Sequence, residues 1–98
     1  MKEELYGRLC DAMAEFGFER VIAADSDVFF SGDKYVRIDC GEYYATVELA
    51  NSLHEAENNL YEDIGLYEYS YMREHGFQED DDIFDEIRRD IVEYIINQ

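Results

Sequence analysis

The sequence predicts a single α+β domain in which helices cover one face of an antiparallel sheet. Three observations predict it: apolar residues recur with a helical period towards both ends of the chain, they alternate with a period of two between those regions, and very short turns join the alternating segments. A chain of 98 residues is long enough for one modest core. We therefore expect residues 1–98 to form one domain, with three or four strands between one N-terminal helix and two C-terminal helices.

The first segment, residues 1–16, has the pattern of an amphipathic helix. Its apolar side chains recur three or four positions apart, so one face of the helix would be apolar. They are Leu5, Leu9, Ala12, Met13 and Phe16. Gly17 follows directly, at the position where a left-handed glycine commonly ends a helix.

Four segments after this helix have the pattern of strands. They are residues 18–24, 28–31, 34–40 and 43–49. In the last two, apolar residues alternate with polar ones, as on a half-buried sheet. The residues expected to face the core are Val36, Ile38, Cys40, Ala45, Val47 and Leu49. Short turns at 25–27, 32–33 and 41–42 join the segments, which predicts an antiparallel meander.

Residues 53 to about 75 are predicted to form a second helix. Ser52 and Glu55 have the spacing of a capping box, in which each side chain accepts a hydrogen bond from the backbone of the other residue. A stripe at helical spacing continues through Leu53, Ala56, Leu60, Ile64, Tyr67 and Tyr71. Gly65 interrupts this stripe, and Gly76 is placed to end the helix.

The last helix is predicted to begin at residues 79–82. Four consecutive carboxylates stand there, where they suit the positive end of the helix dipole. Its buried face is predicted to consist of Phe84, Ile87, Ile91, Tyr94 and Ile95. All three helices are expected to cover the same face of the sheet.

The chain is strongly acidic. It has 25 Asp and Glu against 8 Lys and Arg, a formal net charge of −17, and residues 55–90 alone contain 13 acidic and 3 basic side chains. Hydrophobic residues make up 47% of the chain and aromatic residues 15%, which argues against disorder. The negative charge argues against direct binding to nucleic acid and to anionic membranes, because both would repel it.

Residue patterns that would indicate catalysis or a cofactor are missing from the sequence. It contains no glycine-rich phosphate loop, no serine elbow and no histidine pair at metal-ligand spacing. Residues 25–27 begin like a calcium loop, but two phenylalanines occupy later positions that need an oxygen ligand and a glycine. His54 and His75 are expected to be solvated, and Cys10 and Cys40 to be buried thiols rather than a disulfide. We therefore expect no enzymatic activity, no cofactor and no metal site.

For two of the nine tyrosines, the sequence is equally consistent with burial in the core and with exposure at an interface. Tyr44 alternates away from the core residues of its strand, and Tyr69 lies off the apolar stripe of the predicted second helix. Exposed tyrosine is typical of protein interfaces, because it combines rigid apolar area with a polar tip. Tyr67 and Tyr71 lie on the stripe and are expected to be buried.

The size of the charge favours a partner with a basic surface. A solubilising surface on a small domain needs a net charge of only about 2–8, and −17 exceeds that purpose. Acids one helical turn apart lie about 5–6 Å from each other. That spacing is comparable to rows of DNA phosphates, which occur once per ~3.4 Å of axis on each strand.

The candidate binding surface centres on the start of the last helix. The residues predicted to contact the partner are Glu79, Asp80, Asp81, Asp82, Asp85 and Glu86, flanked by Asp39, Glu42 and Tyr69. Because exposed acids contribute little to folding, reversing Asp81, Asp82 and Asp85 to lysine is expected to leave the fold intact. Such a change is expected to weaken partner binding more than about tenfold.

In size, acidity and element order the chain resembles small phage-encoded anti-CRISPR proteins that inhibit type II effectors by mimicking DNA. Those proteins have one helix, a three-stranded meander and then two helices, and the resemblance covers most of this chain. It implies a target cleft in a Cas9-type effector, where the PAM duplex is read. It also implies that residues 39–43 and 77–84 supply the contacts.

The sequence therefore predicts a non-enzymatic inhibitor that occupies a basic, nucleic-acid-binding groove of a defence nuclease, with a CRISPR effector favoured. An immunity protein that neutralises a basic nuclease toxin is the alternative, because the same electrostatics would steer its association. A regulatory adaptor for a basic protein is a third hypothesis. No targeting or membrane segment is recognised, so the protein is expected in the bacterial cytoplasm, as a monomer or small homo-oligomer.

Overall fold

The computed structural model describes residues 2–21 and 27–98 and has an α+β architecture, as predicted. Its helices are α1 (Lys2–Glu15), α2 (Leu53–Glu57), α3 (Tyr69–Glu74) and α4 (Asp80–Ile91), which continues into a π-helical turn (Val92–Ile96). Its strands are β1 (Glu19–Arg20), β2 (Val28–Ser31), β3 (Lys34–Cys40), β4 (Tyr44–Ala50) and β5 (Glu62–Glu68). They form one antiparallel sheet in the order β1-β2-β3-β4-β5, so the described sheet has five strands where three or four were expected.

The core lies between one face of the sheet and the helices α1 and α4. On the sheet it consists of the alternating side chains predicted from the sequence, with Val36, Ile38, Ala45, Val47 and Leu49 all buried. Facing them are Leu5, Leu9 and Met13 of α1 and a row of isoleucines on α4. We call this covered side of the sheet the inner face and the opposite side the outer face.

Helix α1 ends as its sequence predicts. Gly17 has a positive φ of 87°, which a residue without a side chain adopts readily. The N–H of Phe18 donates to the carbonyl of Met13 at 2.9 Å and that of Gly17 to Ala14 at 3.0 Å. This pair of bonds is a Schellman motif, which satisfies carbonyls at the end of the helix and turns the chain towards the sheet.

The predicted first strand is only partly described. Glu19 and Arg20 pair with Phe30 and Phe29 of β2, so the beginning of the predicted segment 18–24 belongs to the sheet. Residues 22–24 of that segment and residues 25–26 of the predicted turn lie outside the described residues.

The prediction of a long second helix is wrong. Of residues 53–75, only Leu53–Glu57 and Tyr69–Glu74 are helical, and strand β5 separates them. The first of these helices is capped by the N–H of Glu55, which donates to the hydroxyl of Ser52 at 3.1 Å. The helix ends at Asn58, and Asn59 adopts a positive φ of 56°, a conformation that asparagine tolerates better than most residues. Beyond it, residues 62–68 pair with β4 and extend the sheet. In the sheet this segment pairs with β4 and places Tyr67 in the core, so tertiary context overrides the local helical spacing.

Gly65 has a packing role in β5 rather than the helix-breaking role expected. A Cβ atom at this position would lie 2.3 Å from the hydroxyl oxygen of Tyr67, because the tyrosine side chain passes directly over the glycine. The Tyr67 hydroxyl donates to the carboxylate of Asp90 on α4 at 2.8 Å. The glycine therefore makes room for a tyrosine that ties the last strand to the last helix.

Helix α4 begins at Asp80, as predicted, and three of the residues predicted for its buried face, Ile87, Ile91 and Ile95, are fully buried. Ile83, which was not predicted, completes an i, i+4 series with them. Phe84 is half-buried and packs against the core, whereas Tyr94 is 48% exposed and was wrongly assigned to it. Helix α4 is followed by the wider π-helical turn Val92–Ile96, in which Ile95 is still packed in the core.

Candidate protein-interaction surface

The first turns of α1 lie between two groups of predicted site residues. One shallow recess, where α1 meets α4, is lined by Glu4, Leu5, Arg8, Asp80 and Asp81. A second recess, where α1 meets β3, is lined by Lys2, Glu3, Tyr6, Asp27, Asp39 and Cys40. Glu3 and Glu4 were not among the predicted site residues, although acids in the first turn of a helix are a recognisable signal. We define the acidic surface as the exposed carboxylates of Glu3, Glu4, Asp39, Asp80, Asp81 and Asp85.

Two of the predicted acids on α4 are paired with cations from other helices. Asp80 accepts a hydrogen bond from Arg73 of α3 at 2.6 Å, and Asp81 accepts one from Arg8 of α1 at 2.6 Å. The Arg8 guanidinium also lies 4.2 Å from the ring centroid of Phe84. Both pairs are exposed to solvent, with the Asp81 side chain 77% accessible, so they contribute little to stability. They do offset part of the charge presented by α4.

Of the other predicted acids on α4, Asp82 and Glu86 have structural contacts and Asp85 does not, within the described residues. The Asp82 carboxylate accepts the N–H of Glu79 at 3.1 Å, which caps the start of the helix. Glu86 is half-buried and forms an ion pair with Arg89. Asp85 is exposed and makes no side-chain hydrogen bond or ion pair within residues 2–21 and 27–98. Reversing Asp81 and Asp82 to lysine would therefore remove an exposed ion pair and a capping hydrogen bond, and the expectation that the fold survives this change stays a prediction.

The flanking residues Asp39, Glu42 and Tyr69 are not one group. Asp39 is exposed at the end of β3 and borders the second recess, whereas Glu42 is exposed in the β3–β4 turn. Tyr69 is buried, and its hydroxyl donates to the carbonyl of Gly41 at 3.0 Å. Burial raises the pKa of Tyr69 to about 12, so it stays a neutral donor and anchors the turn.

The other tyrosines also depart from the expected pattern. Of the two left open, Tyr69 belongs to the core and Tyr44 is 51% exposed. Tyr67 is buried as expected, but Tyr71 is 58% exposed and stacks on His75 with 3.9 Å between ring centroids. The error at Tyr71 follows from the false helical stripe, since α3 is a separate short helix after β5.

Most cationic side chains in the described part of the chain contact groups of the chain itself. The guanidinium of Arg37 makes two 3.0 Å hydrogen bonds to the Glu48 carboxylate, which raises the Arg37 pKa. The other contacts are Arg8–Asp81, Arg20–Asp27, Arg73–Asp80, Arg89–Glu86, Arg88 over the ring of Phe16, and Lys34 to the carbonyl of Ile95. The excess carboxylates therefore remain as the dominant free charge on the surface.

The candidates for chemistry among the described residues are the possible metal ligands and the two cysteines. No three His, Cys, Asp or Glu side chains among them are placed to hold a metal ion. Cys10 and Cys40 are free and half-buried rather than fully buried, and both adjoin Tyr6. Burial, with Asp39 nearby, raises the pKa of Cys40 to about 12, so its thiol is protonated and poorly nucleophilic near neutral pH.

Comparisons with protein-family models, curated proteins and solved structures find no match to this chain. Within the described ranges, every helix is too short or too polar to cross a bilayer. Two surface features bear on function: the exposed carboxylates of α1 and α4, and a sheet whose outer face is not covered by these helices.

Proposed function

We propose that this protein is a non-enzymatic inhibitor that mimics DNA and occupies a basic, nucleic-acid-binding groove of a defence nuclease. A CRISPR effector of the Cas9 type is the favoured target, and the bacterial cytoplasm is the place of action. The observation that carries the proposal is the acidic surface. Its carboxylates remain in excess after the neighbouring arginines have been paired, and Glu3, Glu4 and Asp85 have no side-chain partner in the part of the chain that is described.

The geometry of α4 supports recognition by groups that normally bind phosphates. Asp81 and Asp85 lie one helical turn apart, a separation of about 5–6 Å between neighbouring positions. Glu4 of α1 lines the same recess as Asp81, so carboxylates from both helices border one region of the surface. Lysine and arginine side chains that neutralise DNA phosphates would be attracted by these carboxylates and steered towards them.

A competition experiment tests this proposal. A panel of purified nucleases, including a Cas9-type effector with its guide RNA, is titrated with labelled duplex DNA in the presence of the protein. We expect the protein to displace DNA from its target, and its affinity to fall as salt rises, because exposed charges are screened beyond ~8 Å at physiological ionic strength. Equal binding to the free and the DNA-loaded nuclease would contradict mimicry.

A pair of charge-matched variants locates the surface. Glu4→Lys combined with Asp85→Lys changes two exposed, unpaired acids of the acidic surface, and we expect binding to weaken more than about tenfold, or 1.4 kcal/mol. Glu57→Lys combined with Glu93→Lys makes the same change in net charge at exposed acids elsewhere. If both variants lose affinity equally, the total charge matters and the acidic surface is not the contact.

A second candidate function is immunity against a basic nuclease toxin. The observation that favours it is the presence of exposed aromatic side chains beside the acids, since Tyr43 is 71% and Tyr44 is 51% exposed. Aromatic side chains contribute strongly when two proteins form a close interface. In the same panel, binding to a secreted nuclease and not to defence nucleases would select this candidate.

A further inference from the structure

An apolar patch lies on the outer face of the sheet, at the end of β4 and β5 that is next to the β3–β4 turn. Tyr43 is 71% exposed, Tyr44 51% and Leu66 70%, and together with Glu68 and Ser70 they line an open recess of about 470 Å³. We call Tyr43, Tyr44 and Leu66 the tyrosine patch. Single exposed apolar residues are common on proteins, but several grouped around a recess indicate a contact site.

The backbone holds the tyrosine patch in place. Tyr44 pairs with Glu68, and Thr46 pairs with Leu66 two residues further along the strands. Tyr44 and Leu66 are therefore diagonal neighbours on the same face of the sheet. The N–H of Tyr69 donates to the carbonyl of Tyr43 at 3.1 Å, and the Tyr69 hydroxyl bonds to Gly41. These bonds tie the hairpin to the start of α3. A partner would therefore meet a preformed recess and would not need to order it on binding.

The charge around the patch determines which partner fits. Residues 38–72 contain eight acidic side chains and no lysine or arginine. Two of the acids, Glu42 and Glu68, are exposed beside the tyrosines. Arg37, the guanidinium on the same face, is held by both oxygens of Glu48 and by the Asn59 side chain at 2.7 Å. A second copy of this acidic chain and an anionic lipid surface would both be repelled.

We propose that the tyrosine patch binds a basic protein segment that inserts an apolar side chain between Tyr44 and Leu66 and places lysine or arginine beside Glu42 and Glu68. This inference relies on the proposed function only for the basic character of the partner. It adds a second contact surface, separate from the acidic surface, at which buried apolar area as well as charge contributes to affinity. An apolar anchor in a desolvated pocket, ringed by polar contacts, is the arrangement in which binding energy concentrates.

Labelled short peptides test the inference without knowledge of the partner. The probes are peptides of alternating lysine and leucine, of alternating lysine and serine, and of alternating glutamate and leucine. We expect the lysine–leucine peptide to bind at least about tenfold more tightly than either of the others. Amide chemical shifts in the protein should change at Tyr44, Leu66 and Glu68 when this peptide binds.

Two patch variants and two control variants distinguish binding at the tyrosine patch from non-specific hydrophobic binding. Tyr44→Ser and Leu66→Ser should each reduce affinity for the lysine–leucine peptide about tenfold. Tyr94→Ser and Leu60→Ser remove side chains of similar exposure, 48% and 58%, at other sites and should change affinity less than about twofold. Circular dichroism establishes that each variant is folded, and because all four positions are exposed the fold should survive.

Three results would overturn the inference. The first is equal loss of affinity in the patch variants and the controls, and the second is a set of shift changes confined to α1 and α4. The third is a concentration-dependent dimer that Leu66→Ser abolishes, which would assign the patch to a second copy. Shift changes on α1 and α4 alone would leave the proposed function standing, whereas its own failure would appear as unaltered DNA binding in the nuclease panel.

Discussion

Helix α4 and the β4–β5 region carry their acids in different ways. The α4 segment has the densest run of carboxylates in the sequence, yet Arg73 and Arg8 pair with Asp80 and Asp81. The β4–β5 region has more widely spaced acids, and no lysine or arginine occurs between residues 38 and 72. Only Glu48 among its acids has a guanidinium partner in the described structure, the Arg37 of β3.

The difference shows that density of charge along a sequence is a poor measure of the charge available to a partner. Exposed ion pairs add little stability, but each one offsets a charge that a partner would otherwise meet. An acid that caps a helix, such as Asp82, is engaged in another way. The acids best able to contact a partner are those without an ion pair or capping hydrogen bond in the described chain. They include Glu3 and Glu4, which lie outside the densest run.

The largest expected effect contrasts a buried side chain of α4 with an exposed one of β5. Ile87 is fully buried and Leu66 is 70% exposed. Ile87→Ala should lower the free energy of unfolding by about 2–5 kcal/mol, because it leaves a cavity between α4 and the sheet. Leu66→Ala should change it by less than about 0.5 kcal/mol. Urea denaturation followed by circular dichroism measures both, and similar losses would mean that the outer face is covered.

The second effect concerns the tyrosine that joins the two regions. Gly65→Ala would place a Cβ 2.3 Å from the Tyr67 hydroxyl and should destabilise the protein by about 1–3 kcal/mol. Gly7→Ala is the matched control, because Gly7 lies in α1 with no atom within 4 Å of the new Cβ. There, alanine should stabilise by about 0.5–1 kcal/mol through helix propensity. Destabilisation of equal size in both variants would refute the packing role of Gly65.

A smaller effect separates the structural acids of α4 from its free ones. Asp82→Ala removes the carboxylate that accepts the Glu79 N–H and should cost about 1 kcal/mol. Asp85→Ala removes an exposed carboxylate and should be neutral or slightly stabilising, since it relieves repulsion. Thermal melts of the two variants at low and physiological salt provide the measurement. An Asp85→Ala variant as unstable as Asp82→Ala would show that Asp85 has a structural partner.

The last effect is a loss of folding stability that is absent at neutral pH and develops at alkaline pH, where Tyr67 ionises. Burial, and then the hydrogen bond to Asp90, raise the pKa of Tyr67 above its ordinary value of 10.0. The folded state therefore holds this proton more tightly than the unfolded state. The contribution of Tyr67 to the free energy of unfolding is fully present below pH 10 and is lost as pH rises further. Urea midpoints between pH 8 and 11 should fall less steeply in Tyr67→Phe than in the wild type. Parallel curves for the two proteins would exclude Tyr67 as the cause.

The regions that the sequence predicts correctly are those whose pattern depends on near neighbours. Helix α1 and its glycine cap, the alternation in β3 and β4, and the start of α4 each follow from residues within a few positions of one another. The fold class follows from their order along the chain. The acidity also needs no structure, and with it comes the expectation of a basic partner.

Tertiary structure decided what depends on distant residues. Residues 62–68 carry a helical spacing of apolar side chains, but they pair with β4, which places Tyr67 in the core shared with α4. Arg8 reaches Asp81 across 73 positions, and Tyr67 reaches Asp90 across 23. Which acids are paired and which tyrosines are exposed are consequences of such contacts. No local pattern encodes them, because the energy of each contact exists only once the chain has brought its two partners together.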